Sequence, residues 1–485
     1  MPSAIDVRRL LTALAAVLSS ALLLWFGTGL NPLWPLLWFA PLPLLLFASR
    51  ALWWAAGIAA CAAWFLAMLS FWHYMVVVLQ VPVVAFVSIF GIASLLFAAD
   101  VLLYRALLVR RRYWSAVLAF PAAWVSIEFV NNVTSPHGTA GNLAYTQLRF
   151  LPFLQLASIT GPWGISFLLL LFSAAIATGA YMFQRSRPHA WRIPAICSGV
   201  IALVLILGWV RLSKADPDPI VTVGMIATDQ TRGVAPRGLP AERLLAEYAG
   251  KARELAREGA QVIVMPEKLA VVGDPEVKAV DASLQALADE TKVPVIVGMV
   301  RLTGETKYNQ ARVYVPSAQV STYDKQHMLP PFESDLKPGT ELTYLTEGSG
   351  KWGVAICKDM DFSNPARQYG QSATGLLLVP AWDFVVDRSW HGHIAVMRGV
   401  ENGYSVARSA RGGFLTVSDD KGRIVAEKTS NSEPFSTLIA RVSATHERTL
   451  YSLLGDWFAY VAIGILVICL GALLTTLRSK PTISA

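Results

Sequence analysis

Long apolar runs alternate with short loops over the first 212 residues, after which a long polar segment breaks the pattern. Each run approaches the length that crosses roughly 30 Å of hydrocarbon as a helix. The second run is short and rich in proline, so it is predicted to be re-entrant or kinked. The runs lie at about 10–28, 33–49, 52–72, 82–103, 114–130, 162–183, 193–212 and 456–477.

This pattern predicts three regions. Residues 1–212 form an N-terminal membrane domain with about seven transmembrane helices, and residues 213–455 form a domain outside the membrane. Residues 456–485 hold a last transmembrane helix and a tail. The hydrophobic content of 54% and the charged content of only 15% agree with a membrane protein, because soluble domains carry roughly 25% charged residues.

Basic residues predict the orientation. With a cytoplasmic N-terminus, the cytoplasmic flanks hold twelve Arg or Lys residues, including Arg478 and Lys480, and the short opposite loops hold only Arg149. Cytoplasmic loops carry the excess of Lys and Arg, so we expect the 213–455 domain outside the cytoplasm and the tail inside. The alternative of a signal peptide after Arg8 and Arg9 lacks a convincing cleavage site. The net charge of +8 follows from these flanks, and we predict no nucleic-acid partner.

The polar segment reads as an α/β domain, since apolar strands alternate with amphipathic helices. No glycine-rich phosphate loop or internal repeat is evident, and neither coiled coils nor paired cysteines suggest an oligomer, so a monomer is expected. The predicted strands are 220–227, 261–267, 293–300, 311–317, 353–357 and 375–381, followed by 414–420, 422–428 and 435–442. The predicted helices are 240–258, 277–290, 364–371 and 389–408.

Three reactive side chains end predicted strands: Glu267, Lys325 and Cys357. Strand ends are where α/β sheets bind ligands. A thiol needs a base, which a buried glutamate can supply, and a fixed lysine can stabilise an oxyanion. The backbone N–H of Lys358 is a second candidate oxyanion donor. Each residue alone can also have a purely structural role, because a free cysteine is often buried in the core and a lysine is usually solvated.

Histidines do not predict a metal site. His391 and His393 are two residues apart, so they do not share a helix face. We therefore predict neither a metal nor a cofactor.

The motifs around the three reactive residues resemble the nitrilase, or carbon–nitrogen hydrolase, superfamily. MPEK contains Glu267, YDKQHMLPPFE contains Lys325 and AICKD contains Cys357. The membrane frame narrows the resemblance to the apolipoprotein N-acyltransferase family, through LWPLLWFAPLPLL, LPFLQLASITGPWGISFLL, VPAWDF and GDWFAY. The resemblance implies a multi-span α-helical membrane protein of the bacterial inner membrane, with an inserted nitrilase-like αββα sandwich facing the periplasm or outside.

The same resemblance implies the reaction and the roles of residues. Cys357 would take an acyl chain from a phospholipid as a thioester and pass it to the α-amine of a lipoprotein's diacylglyceryl-cysteine. Glu267 would be the general base, Lys325 the oxyanion stabiliser and Glu333 the support of the lysine. Candidate substrate contacts are Asp359, Trp382 and Asp383.

The chain departs from the family at two places. Lys358-Asp359 stands where the family usually has Tyr-Glu, and the loop TDQTRGVAPRG lacks an aromatic residue often found there. These departures leave three alternatives open: a membrane-anchored amidase or nitrilase-type hydrolase, a paralogue with a different amine acceptor, and a non-catalytic scaffold.

Overall fold

The computed structural model describes residues 4–215, 218–230, 235–347, 350–430 and 434–478. Part of the predicted tail, including Lys480, and residues 231–234 of the loop TDQTRGVAPRG lie outside these ranges, and so does the side chain of Arg478.

Seven helices in the described ranges are long and apolar enough to cross a membrane, six of them before residue 213. The seventh is the last helix of the chain. The helices of the membrane domain are α1 (Ala4–Gly27), α2 (Trp34–Leu37), α3 (Leu42–Ala48), α4 (Trp53–Met68), α5 (Val83–Val109), α6 (Tyr113–Thr134), α7 (Leu151–Leu154), α8 (Ala157–Thr160), α9 (Pro162–Gln184) and α10 (Arg192–Leu212).

The second apolar run is broken rather than one continuous helix. Residues 33–49 form only the short α2 and α3, with prolines that interrupt helical hydrogen bonding. The segment nevertheless runs along α9: the Ser173 hydroxyl donates to the Trp38 carbonyl (2.6 Å), and Arg50 Nε donates to Gln184 Oε1 (3.1 Å). Those two contacts are about 16 Å apart along α9. The run is therefore a kinked passage, and seven continuous helices replace the eight predicted segments.

The outer domain contains two sheets with helices on their outer faces. One sheet has the order β13-β1-β2-β4-β5-β6, with β3 beside β4, and the other has the order β12-β11-β10-β9-β8-β7. The strands are β1 (Ile220–Ala227), β2 (Val262–Val264), β3 (Val271–Val272), β4 (Val295–Thr303), β5 (Thr306–Tyr314), β6 (Ser321–Asp324), β7 (Thr343–Glu347), β8 (Gly350–Val354), β9 (Leu376–Trp382), β10 (Ser405–Arg411), β11 (Phe414–Ser418), β12 (Ile424–Thr429) and β13 (Ser436–Ser443). The helices are α11 (Leu239–Arg257), α12 (Asp274–Thr291), α13 (Ala366–Gln371), α14 (Arg388–Asn402) and α15 (Leu450–Leu454), and α16 (Trp457–Arg478) follows.

Apolar side chains define the layers. One buried cluster fills the space between the two sheets, and it includes Val223, Ile296 and Leu377. A second lies between the first sheet and helices α11 and α12, where Leu244 and Tyr248 are buried as the helical spacing predicts. This is the αββα arrangement, so the predicted fold class is confirmed.

The predicted helix over 389–408 is too long. Helix α14 ends at Asn402, and residues 405–411 form β10, which pairs parallel with β9 and antiparallel with β11. All seven residues of β10 are buried, although its sequence, SVARSAR, has no apolar run. Arg408 pairs with Asp383 inside the domain, and the guanidinium of Arg411 lies over the ring of Trp382. The strand is therefore stabilised by contacts that its local sequence does not show.

Helix α14 joins the outer domain to the membrane domain. Trp390, Ile394 and Met397 belong to the same buried apolar cluster as the helices of the bundle. The helix covers the second sheet with one face and packs on the membrane domain with another, so that sheet is held directly against the bundle.

Candidate active site

The predicted acid and amine lie together in a buried polar cluster. Lys325 Nζ donates to Glu267 Oε1 (2.9 Å) and to Glu333 Oε2 (2.8 Å). Asn309 Nδ2 donates to the same two carboxylates, at 2.5 Å and 2.8 Å. Glu267, Lys325 and Glu333 are each no more than 2% exposed. The lysine is therefore fixed between two carboxylates.

Strand ends bring the cysteine to this cluster. Glu267 follows β2, Lys325 follows β6 and Cys357 follows β8. The Glu267 backbone N–H donates to the Ala381 carbonyl (3.3 Å), and the Cys357 thiol donates to the carbonyl of the next residue, Trp382 (3.5 Å). Two successive carbonyls at the end of β9 therefore hold the glutamate and the cysteine as neighbours.

A glycine makes room for the glutamate. A Cβ atom at Gly298 would lie 2.5 Å from the Cα atom of Glu267, which is closer than real Cβ atoms approach. Any larger residue on β4 would displace the segment that carries the candidate base.

Cys357 occupies a tight backbone turn. Its φ of +42° lies in the left-handed region, where non-glycine residues are uncommon and which is enriched at functional sites. A 3₁₀ turn, Cys357–Asp361, begins at this residue. Burial raises the pKa of the Cys357 thiol, and the negative charge of Glu267 raises it further, whereas Lys325 lowers it. The resting thiol is therefore protonated and needs a base to react.

The charges around Lys325 keep it cationic. Burial lowers the pKa of Lys325, but the carboxylates of Glu267 and Glu333 outweigh burial and hold it well above its ordinary value. Burial raises the pKa of Glu333, but Lys325 and Lys268 outweigh it and lower that pKa to about 2. Lys268 Nζ also contacts Glu333 Oε1. A permanently charged ammonium beside the thiol suits an oxyanion that forms there.

Asp359 connects the cysteine turn to the lysine loop. One carboxylate oxygen accepts from the Ile356 N–H (3.1 Å) and the Tyr323 hydroxyl (2.8 Å), and the other accepts from the backbone N–H groups of Gln326 (3.1 Å) and His327 (2.8 Å). The carboxylate is fully buried. These contacts fix Asp359 between the two loops, and the substrate contact predicted for it stays a prediction.

The Lys358 side chain points toward the membrane domain, and only its backbone stays beside the nucleophile. Its Nζ lies 3.1 Å from Asp361 Oδ2 and 3.3 Å from Nδ1 of His137, in the loop after α6. His391 on α14 lies 3.5 Å from the other oxygen of Asp361. Burial lowers the pKa of His391, but Asp387 and Asp361 outweigh it and raise it to about 10. Asp361 therefore lies between two cations.

Replacing Lys358 with methionine is expected to lower the stability of the whole protein by about 2–4 kcal/mol, because Asp361 stays buried with one cation fewer. Thermal unfolding in detergent micelles measures this, with Lys278→Met on the exposed side of α12 as the matched control. Equal melting temperatures for the two variants would show that the Lys358–Asp361 pair contributes nothing.

The last two predicted substrate contacts have different surroundings. Asp383 forms a bidentate pair with Arg408 (2.7 Å and 2.5 Å) and is 3% exposed. The ring of Trp382 lies 3.5 Å from the guanidinium of Arg411. Asp383 is thus bound internally, and Trp382 contributes its carbonyl to the thiol, while its role toward a substrate stays a prediction.

Two residues of the cluster were not predicted. Asn309 lies in the middle of β5, and Lys268 directly follows Glu267. Neither is a reactive residue at the end of a predicted strand. Lys268 is the last residue of the MPEK motif, which is the sequence signal for it. In the part of the chain that the structure describes, no group of three or more His, Cys, Asp or Glu residues is placed to hold a metal ion.

Comparisons with known proteins define the class of the outer domain first. The carbon–nitrogen hydrolase family model matches residues 232–452, so this domain is of the nitrilase superfamily. A solved amidase of that superfamily from Nesterenkonia AN1 is 19% identical, with a TM-score of 0.41 over 47% of this chain and 93% of the amidase. Another structure of a Nesterenkonia amidase has a TM-score of 0.43 at 18% identity, over 51% and 99% of the two chains.

The membrane domain matches a second family model. The model described as the apolipoprotein N-acyltransferase N-terminal domain matches residues 20–175. An apolipoprotein N-acyltransferase from Geobacter metallireducens is 29% identical over 93% of each chain. Apolipoprotein N-acyltransferase 1 from Treponema denticola is 25% identical over 71% of this chain and 75% of its own. The chain is therefore similar to apolipoprotein N-acyltransferases over most of its length, and the resemblance predicted from its motifs is confirmed.

Proposed function

We propose that this protein transfers an acyl chain from a membrane phospholipid to the α-amine of the diacylglyceryl-cysteine of a lipoprotein. The observation that carries the proposal is the convergence of Glu267, Lys325 and Cys357 at strand ends next to a membrane bundle. The names of the relatives support the reaction class.

The first half-reaction loads the enzyme. Glu267 takes the proton of Cys357, and the thiolate attacks the ester carbonyl of the phospholipid. Lys325 stabilises the resulting oxyanion, with the Lys358 backbone N–H as a second donor. The C–O bond then breaks, and the lysophospholipid alkoxide leaves with the proton held by Glu267. An acyl thioester on Cys357 remains.

The second half-reaction transfers the acyl chain from Cys357 to the acceptor. The free amine of the acceptor attacks the thioester carbonyl and gives its proton to Glu267. The C–S bond breaks, and the thiolate recovers that proton. An amide product and free enzyme result, so protons and acyl groups balance over the cycle.

The membrane frame supports lipid substrates. Both proposed substrates are anchored in a bilayer, and the packing of α14 on the bundle holds the nucleophile's sheet against the membrane domain. We propose a bacterial inner-membrane protein whose catalytic domain faces away from the cytoplasm, as the basic flanks predict. A cytoplasmic reading from a reporter inserted in the 213–455 domain would reverse this orientation.

The deciding experiment incubates purified protein in phospholipid micelles with a synthetic diacylglyceryl-cysteine peptide, followed by mass spectrometry. We expect the peptide to gain one acyl chain on its amine. Free fatty acid without acylated peptide would replace the transferase by a hydrolase, and acylation of other amines only would indicate a paralogue with a different acceptor.

A further inference from the structure

A cavity of about 400 Å³ lies where the membrane domain meets the nitrilase-like domain. It lies at the end of α10, where the chain leaves the bundle for the outer domain, and it contains none of the reactive residues. Its lining residues are Arg149, Leu151, Pro152, Trp209, Leu212, Ser213 and Arg423.

The walls of the cavity are fixed by close packing. A Cβ atom at Gly208 would lie 1.9 Å from the Pro152 carbonyl oxygen, so α10 and α7 meet backbone to backbone. Arg211 Nη1 donates to Gln155 Oε1 (2.5 Å) at the same junction. The cavity is therefore part of the folded domain junction.

Arg149 is the arginine of the cavity lining that forms no ion pair among the described residues, although its charge lowers the pKa of the nearby Glu427. Arg211 pairs with Glu447 (2.9 Å), and Arg423 pairs with Asp419 (3.0 Å). Arg149 is exposed, and within the described ranges it makes neither a hydrogen bond nor an ion pair. It is also the single basic residue of the short loops opposite the basic flanks, which the membrane pattern alone leaves unexplained.

The cavity lining beside Arg149 is mostly apolar and partly exposed. The Trp209 side chain is 65% exposed, and tryptophan favours the membrane–water interface. Below it on α10, Ile206 and Val210 are 60% and 56% exposed, which suits contact with acyl chains. A guanidinium above an apolar helix face matches an anionic group that carries hydrocarbon chains.

We propose that this cavity binds the phosphate group of a membrane glycerophospholipid, with Arg149 as its principal ligand. The guanidinium presents paired N–H donors that match phosphate oxygens. Arg423 adds a second cation to the lining, which is paired with Asp419. This site is separate from the catalytic centre, and the inference stands whether or not the proposed acyl transfer is correct.

The test uses the full-length protein in dodecyl maltoside micelles with a phosphatidylglycerol that carries a photoreactive diazirine near its glycerol. Mass spectrometry of peptides maps the cross-links, which separates this cavity from the catalytic centre. We expect labelling of the segments 149–152 and 209–213. Unlabelled phosphatidylglycerol should compete, whereas diacylglycerol and inorganic phosphate at the same concentration should not.

Variants assign the site to Arg149. Arg149→Gln should lower labelling of these segments by about fivefold to tenfold, and Arg149→Lys should retain an intermediate level. Arg448→Gln removes another exposed arginine close to the last helix and should label like the wild type. Undiminished labelling in Arg149→Gln would overturn the proposal, as would equal competition by diacylglycerol. Competition by inorganic phosphate alone would mean that the cavity takes the free anion. If Arg149→Gln does not fold, Arg149→Lys decides the test. Wild-type labelling of folded Arg149→Lys, together with effective competition by diacylglycerol, would also overturn the proposal.

Discussion

Replacing Cys357 with alanine is expected to abolish acylation of the lipopeptide, with a loss of more than about 10³-fold. No other residue of the cluster can form the acyl-enzyme, because Glu267 and Lys325 are buried against each other. Cys357→Ser should fail as well, since a hydroxyl is far less acidic than a thiol and Glu267 cannot deprotonate it enough. Mass spectrometry of the intact protein should show an added acyl chain on the wild type and none on either variant.

Cys61→Ala is the matched control for this loss. Cys61 is a free, half-buried cysteine on α4, away from the cluster, and its removal should leave the acyl-enzyme and the product unchanged. Normal acylation by Cys357→Ala would remove the nucleophile assignment, whereas full cellular function of this variant without acylation would favour the non-catalytic scaffold.

Replacing Glu267 with glutamine is expected to lower the acylation rate by about 10²–10⁴-fold, because the thiol loses its general base. The pH dependence of the residual rate gives a second readout. Burial raises the pKa of the Cys357 thiol, so without a base the thiolate must be formed by hydroxide. The residual rate should rise about tenfold for each pH unit through the neutral and mildly alkaline range.

The wild type should show no such rise, because Glu267 supplies the base within the site. Glu341→Gln, which alters an exposed carboxylate, serves as the control and should keep the wild-type rate and profile. A Glu267→Gln variant with the wild-type rate, or one whose residual rate is flat with pH, would contradict the assignment of Glu267 as the base.

The local sequence pattern predicts the membrane helices and the α/β domain of this protein well. Continuous apolar runs marked the membrane helices, and the reactive residues at strand ends marked the cluster, because both depend on short stretches of chain. The prolines of 33–49 predict a re-entrant or kinked segment, and the pattern does not decide between these two.

Contacts between distant segments cannot be predicted from the local sequence pattern. Strand β10 has no apolar run that would predict it. Its Arg408 can be buried because it pairs with Asp383, 25 residues away. Asn309 joins Glu267 and Glu333 across three segments, and His137 meets Lys358 over 221 positions. Such pairs depend on how sheets and bundle pack, which no spacing along a single chain encodes.

The placement of α14 has a consequence for handling the protein. Trp390, Ile394 and Met397 pack among the membrane helices, so a fragment limited to residues 213–455 would present this apolar strip to water. Exposed strips of that kind drive self-association. We therefore expect the nitrilase-like domain to stay soluble and folded only together with the membrane helices, so crystallography and screening call for the full-length chain.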